Sequence, residues 1–256
     1  MKTLTLYLTG ICLMCFFTDV KAQSLYLGVR GGLSIPNLTA GSGYQNPLNT
    51  GYSSRLGPDA GIFAEYKISK LFSFETMLQY SSQGGKKNGF QAFTTPTEMV
   101  VMFPPDQAPA YLYADYKSEA KMNYLMLPIL AKFGWNISRT PLHLYVGVGP
   151  FTSYLINASQ VTSGQSQFFV DAAGQQPLPG GAQSFDATTD IKDQLHRFNV
   201  GIEGNLGFSY RIGAGNIFIE GGGNYGLLNI QKNAVDGKNN TGAATIDVGY
   251  SFLFGK

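Results

Sequence analysis

Residues 196–212 read HRFNVGIEGNLGFSYRI. The even positions hold Phe198, Val200, Ile202, Leu206, Phe208, Tyr210 and Ile212. The odd positions hold Arg197, Asn199, Glu203, Asn205, Ser209 and Arg211. A strand sends successive side chains to opposite faces, and a helix would mix these two sets. The segment is therefore a strand with one apolar and one polar face.

Working outward, seven more segments follow the same period: Leu25–Ile35, Gly57–Ile68, Leu71–Ser81, Met122–Trp135, Leu142–Ile156, Asn216–Leu228 and Ala244–Phe254. The connections between them alternate in length. Ser69-Lys70, Asn136 to Pro141 and Gly213 to Gly215 are short, whereas Ile35 to Leu56, Ser82 to Lys121 and Asn157 to Leu195 are long, with Asn229 to Ala243 between. The long ones are not uniformly polar. Glu98 to Phe103 and Ala110 to Tyr116 predict a raised hairpin or strands extended past a bilayer, and Gln167 to Asp171 begins another.

Composition decides which face meets what. Only 13% of residues are charged, against about 25% in ordinary soluble domains. No apolar run after the N-terminus approaches the roughly 20 residues of a membrane helix; the stretch Tyr124 to Phe133 is broken by Pro128 and Lys132. The apolar faces are broad and end in aromatics, while the polar faces carry Arg, Glu, Lys and many Gly. A soluble barrel or sandwich would present a polar exterior, so this pattern is inside-out for one. It predicts an all-β fold: an eight-stranded antiparallel transmembrane β-barrel with short periplasmic turns and long extracellular loops. Outer-membrane lipid is then its immediate partner.

Residues 1–22 form a targeting segment. Lys2 opens it, Leu4 to Phe17 is its apolar stretch, and Val20 and Ala22 are placed for cleavage before Gln23. The barrel domain is then 23–256. Both cysteines, Cys12 and Cys15, fall in the removed segment, so their C-x-x-C spacing carries no chemistry in the mature chain. Losing Lys2, Lys21 and Asp19 takes the formal charge from +2 to +1. Such a balance gives no basis for nucleic acid as a partner.

Asn123-Tyr124-Leu125 with Leu127-Pro128-Ile129-Leu130 and Lys132-Phe133, then Tyr145 to Pro150, then Tyr225-Gly226-Leu227-Leu228-Asn229-Ile230, together resemble the PorT-like outer-membrane β-barrel family. The resemblance covers most of the mature chain and implies an eight-stranded barrel of the OmpA/OmpX type. Asp247, Gly249, Phe252 and Phe254 look like the C-terminal signal read by the barrel assembly machinery, although the chain ends in Gly255-Lys256 and not at an aromatic. One branch of the family resembles an accessory of a protein-secretion machine.

Parity places Arg30, Lys67, Lys132, Arg197 and Arg211 in the lumen with Glu65, Glu75, Glu203, Glu220 and Asp247, so the signs balance. Buried charges must pair or be solvated, which makes this set a structural network. Arg30 and Glu75 are expected to meet across the lumen. Tyr26, Phe63, Tyr145 and Phe151 share the interior, with Gly28, Gly61, Gly147, Gly149 and Gly201 making room. Gly221-Gly222-Gly223 and the Gly201, Gly204, Gly207 spacing are steric as well, since no helix start follows them to hold a phosphate.

The mature chain has two histidines, His143 and His196. His143 faces inward at the turn side. His196 lies on the outer face near Thr152 and Ser153, the nearest approach to a lipid-hydrolase arrangement, but Ser153 has inward parity. No catalytic residue, metal spacing or cofactor motif is assigned. The expected role is non-enzymatic: a structural or interaction protein, accessory to protein secretion or envelope assembly, with an envelope or secretion partner held by the loops or turns. Porin-like passage of small solutes is the alternative, and a lipid-acting enzyme a third. The mature chain should fractionate with the outer membrane and migrate heat-modifiably on gels. Recovery in the soluble periplasm without detergent would overturn the barrel.

Overall fold

The computed structural model describes residues 24–40 and 46–254. The targeting segment 1–22 and the terminal Gly255-Lys256 lie outside the described residues. Eight long strands run in chain order: β1 Ser24–Ala40, β2 Gly57–Lys67, β3 Phe72–Thr94, β4 Tyr111–Asn136, β5 Leu142–Ser163, β6 Phe198–Ile212, β7 Gly215–Gly226 and β8 Asn239–Phe254. Each pairs antiparallel with its neighbour. β1 also pairs with β8, from Leu25–Phe254 to Ala40–Asn239, and closes the ring.

The apolar set of every strand points outward. Val29, Ile62, Leu78, Ile129, Val148, Leu206, Ile219 and Val248 are all exposed. Aromatics bound this band at both ends, as interfacial girdles do. At the turn end stand Tyr66, Phe74, Phe133, Trp135, Tyr210, Tyr250 and Phe254. At the other end, Tyr80, Leu125, Tyr154 and Phe198 lie in one cross-strand row.

The turn end is tight. Ile212 and Gly215 pair directly across Gly213-Ala214, with Gly213 at φ 58°, the left-handed conformation such two-residue hairpins require. The loop end is tall. β3, β4 and β5 have 23, 26 and 22 residues, whereas a bilayer needs about 9–11 per strand. The extensions run through Lys86–Phe93 and Tyr113–Glu119, so the strand expected at Ala110 to Tyr116 is there as the start of β4. Glu98 to Phe103 is not a strand: the hairpin tip carries the short helix Thr97–Val100 after Pro96. Phe169 does form bridges, to Tyr113 and Pro177.

Inside, four aromatics each lie over the glycine directly opposite on the neighbouring strand. Phe63 faces Gly28, Tyr145 faces Gly207, Phe151 faces Gly201 and Phe218 faces Gly249. A Cβ on any of those glycines would run into the ring. Phe63 and Phe218 then meet edge to face at 5.6 Å across the lumen. Above them, Leu38, Met122, Tyr124, Leu155, Ile191, Leu195 and Ile230 form an apolar cluster under the loops.

The orientation is testable with single cysteines in a background lacking Cys12 and Cys15. Cysteines at Gly43, which lies outside the described residues, and at Gln107 and Gln175 should react with an impermeant thiol reagent on intact cells. Labelling at Ser69 or Ala214 in their place would reverse the topology.

Candidate functional site

The lumen charges gather in two linked groups. In the first, the Lys132 ammonium of β4 donates to Glu75 of β3 at 2.8 Å and to Glu65 of β2 at 3.3 Å. Glu65 and Glu75 are direct cross-strand partners, a like-charge pairing that opposes sheet formation by itself. Lys132 stands between them and resolves it. Its ammonium also lies 4.1 Å from the Tyr145 ring centroid, and the Ser73 hydroxyl donates to Glu65 at 2.7 Å.

The second group centres on Arg30 of β1. Its guanidinium donates to Glu220 of β7 and, at 3.2 Å, to Glu203 of β6. It also lies 3.9 Å from Asp59 of β2. The Gln79 amide donates to both Asp59 oxygens at 2.9 and 3.0 Å. The Tyr145 hydroxyl donates to Glu220 at 2.8 Å and so links the two groups. Seven strands, all but β8, are tied together by these contacts.

Several sequence expectations change here. Arg30 and Glu75 do not pair, because Lys132 from the adjacent strand occupies Glu75 and Arg30 is turned toward β6 and β7. Arg197 is not in the lumen. A 3-10 turn at Lys192–Gln194 precedes it and β6 begins at Phe198, so Arg197 is exposed and bonds Asp193 at 2.9 Å. Arg211 is exposed at the turn end, outside both groups. Lys67 stays at the turn-side mouth, 4.7 Å from the Tyr26 ring centroid. Asp247 is buried on β8, and among the described residues neither of its carboxylate oxygens has a hydrogen-bond partner. Asp59 joins the set although sequence reading missed it; it shares the odd parity of Glu65, and that signal was there. The signs therefore do not balance. Six buried or half-buried carboxylates surround Arg30 and Lys132.

The remaining candidates separate. Asn136 holds His143 Nδ1 at 2.8 Å at the turn end. Ser153 is buried and inward, whereas His196 is exposed in the segment before β6. The structure does not bring them together. Among the described residues no group of three or more His, Cys, Asp or Glu is placed to hold a metal ion. Phe252 and Phe254 face outward in the girdle, Gly249 lies under Phe218, and Asp247 faces inward.

A cavity of about 40 Å³ lies at the turn-side mouth beside Lys67, Lys132 and Tyr145. A larger one of about 230 Å³ lies under the loops. Between these levels Met77, Gln79, Met126, Leu130 and Phe151 are fully or nearly fully buried, and a ring of eight strands is only wide enough for side chains to fill.

The network makes a specific prediction. Lys132→Met strands Glu65 and Glu75 and should destabilise the folded barrel by roughly 3–5 kcal/mol, less where water reaches the site. Adding Glu75→Gln should recover part of that loss in a urea unfolding cycle. Arg30→Met and Glu75→Gln, having separate partners, should be close to additive. Coupling between Arg30 and Glu75 equal to that between Lys132 and Glu75 would contradict the assigned pairs.

No curated protein matches the chain by sequence. Among solved structures, the Neisserial surface protein A is 12% identical, with 91% of this chain and all of that one covered at a TM-score of 0.37. OprG from Pseudomonas aeruginosa is 11% identical, with 93% and 100% covered at 0.38. The outer membrane protease OmpT from Escherichia coli is 9% identical, with the same coverage, at 0.35. The family model described as outer membrane protein beta-barrel domain matches residues 21–232. With most of its length so matched and its eight strands closed into a ring, the chain belongs to the outer membrane protein β-barrel domain family.

Proposed function

We propose that this barrel is a non-enzymatic interaction protein, an anchored platform for a partner in protein secretion or envelope assembly. One contrast carries the reading: the lumen is packed with charged side chains and rings, while the loop end is built up and braced. The bracing is extensive. Rings of β3, β4 and the β5–β6 loop pack as two aromatic clusters: Phe90, Tyr113 and Phe169 form one, and Phe93, Tyr116, Phe168 and Phe185 the other, with Tyr116 and Phe185 stacked at 4.3 Å. Asn46 and Asn49 of the first loop donate to the carbonyls of Val235 and Lys238 in the last. Arg55 Nε donates to Glu119 at 2.7 Å, and Lys232 donates to the Asp193 carbonyl at 2.8 Å. Loops that only joined strands would not need such ties.

The tip of the tallest hairpin supplies the contact. Val100, Val101 and Met102 are exposed there, well beyond the outer girdle. The likeness of the later strands to PorT-like barrels supports a secretion or envelope partner.

Two measurements test the reading. The purified barrel should give no steady conductance in planar bilayers. Affinity capture after gentle solubilisation of the outer membrane should retain a defined envelope partner, and Val101→Glu should lose it. Reproducible open channels would put small-solute passage first.

A further inference from the structure

The cavity under the loops has a chemistry that a passive gap would not need. Its floor is apolar, made by Leu38, Met122 and Leu195. Its walls carry the rings of Tyr52, Phe93 and Tyr116. Four glutamines, Gln91, Gln160, Gln194 and Gln231, also line it. Three of these use their amide nitrogens within the protein: Gln91 donates to the Tyr116 carbonyl, Gln160 to Ser118 and Gln231 to Asn239. Among the described residues nothing donates to their amide oxygens, which leaves these as acceptors for hydroxyl groups.

Lys87 is the cation of this wall, and it is buried. Its ammonium donates to the carbonyls of Pro47 at 3.2 Å and Leu48 at 2.6 Å and lies 4.6 Å from the Tyr52 ring centroid. Among the described residues no carboxylate is within ion-pair distance of it. A buried charge that has only carbonyl dipoles and a ring face is undercompensated. Asp236, the carboxylate in the same wall, accepts from Asn233 instead.

We propose that this cavity binds an acidic monosaccharide from outside the cell, its carboxylate on Lys87, its ring against Tyr52 and Tyr116, and its hydroxyls on the glutamine oxygens. Size and polarity select this class. About 230 Å³ is below the roughly 300–1,000 Å³ of drug-sized sites, so one sugar ring fits and a peptide does not. An aromatic acid would leave the glutamine oxygens without donors, and each unpaired acceptor works against binding. A neutral sugar would leave Lys87 uncompensated. Burial lowers the Lys87 ammonium to about 8, while burial raises Tyr52 and Tyr116 to about 12. Both tyrosines therefore stay neutral across the range in which Lys87 loses its charge. The proposal needs no protein partner, so it stands or falls separately from the platform reading.

Titration calorimetry on the purified barrel in detergent tests it, with D-glucuronate, D-glucose and benzoate as probes. Glucuronate should bind one to one. Glucose and benzoate should each bind roughly tenfold or more weakly, the scale of one charge-assisted hydrogen bond or one set of unmet acceptors. Lys87→Met should weaken glucuronate by a similar factor while keeping heat-modifiable migration, and Gln160→Leu should weaken it less. Glucuronate affinity on the wild type should fall as pH rises through about 8, because only the protonated amine pairs with the carboxylate. This pH profile and the glucose comparison keep the test decisive should Lys87→Met fail to fold. No glucuronate binding at millimolar concentration, equal binding of glucose or benzoate, or a flat pH profile would each overturn the proposal.

Discussion

The pairing of β1 with β8 is the constraint on which everything else rests. It runs the whole length of both strands, from Leu25–Phe254 to Ala40–Asn239, and it leaves no strand edge facing lipid. In hydrocarbon an unpaired backbone N–H or C=O has no water to turn to, so a sheet can cross the membrane only when closed. Closure in turn fixes a narrow interior. That interior has to be filled, and the side chains that fill it here include charges that could not face the lipid.

Filling with charge asks for partners from several directions. Lys132 mediates between two carboxylates that adjoining strands force together, and Arg30 gathers Glu203, Glu220 and Asp59 from three strands. The Arg30 contacts to Glu220 and Glu203 bind strands distant in sequence, 190 and 173 residues apart. The interior thus reinforces the ring that created it, and the loop end becomes free to serve another purpose. There the strands outgrow the bilayer, and aromatic packing takes over from lipid as the reason for their apolar residues.

Much of this could be read from sequence, and the limits have physical causes. Alternation identified all eight strands and their faces, because within the bilayer one face must be apolar. It failed where that requirement lapses. Beyond Ser82 and before Met122 both faces are wet or aromatic, so only Ala110 to Tyr116 reads as raised strand, while the extension of β3 reads as loop. Parity reports a face, never a partner; Arg30 and Glu75 share the lumen yet bond elsewhere. Parity also holds only inside a strand, which is why Arg197, three residues past a 3-10 turn, reads as inward and lies outside. Asp59 carried a clear signal that was overlooked. The cavity around Lys87 has none, since it is assembled from the outer ends of β1, β3, β4 and β5 and from three loops, all far apart in the chain.

The four ring-over-glycine contacts bear on how the barrel finds its register. Sliding a strand by one residue would turn its apolar face inward, and lipid alone forbids that. Sliding by two keeps every apolar side chain outside, so the bilayer is indifferent to it. The interior is not. Such a slip would set Phe63 over Tyr26 or Arg30, Tyr145 over Asn205 or Ser209, Phe151 over Asn199 or Glu203, and Phe218 over Asp247 or Ser251. None of these is glycine, and none leaves room for a ring to lie flat across the neighbouring backbone. The glycines work like the notches of a key: they reject alignments that hydrophobicity would accept, and so set the stagger of the ring as it closes.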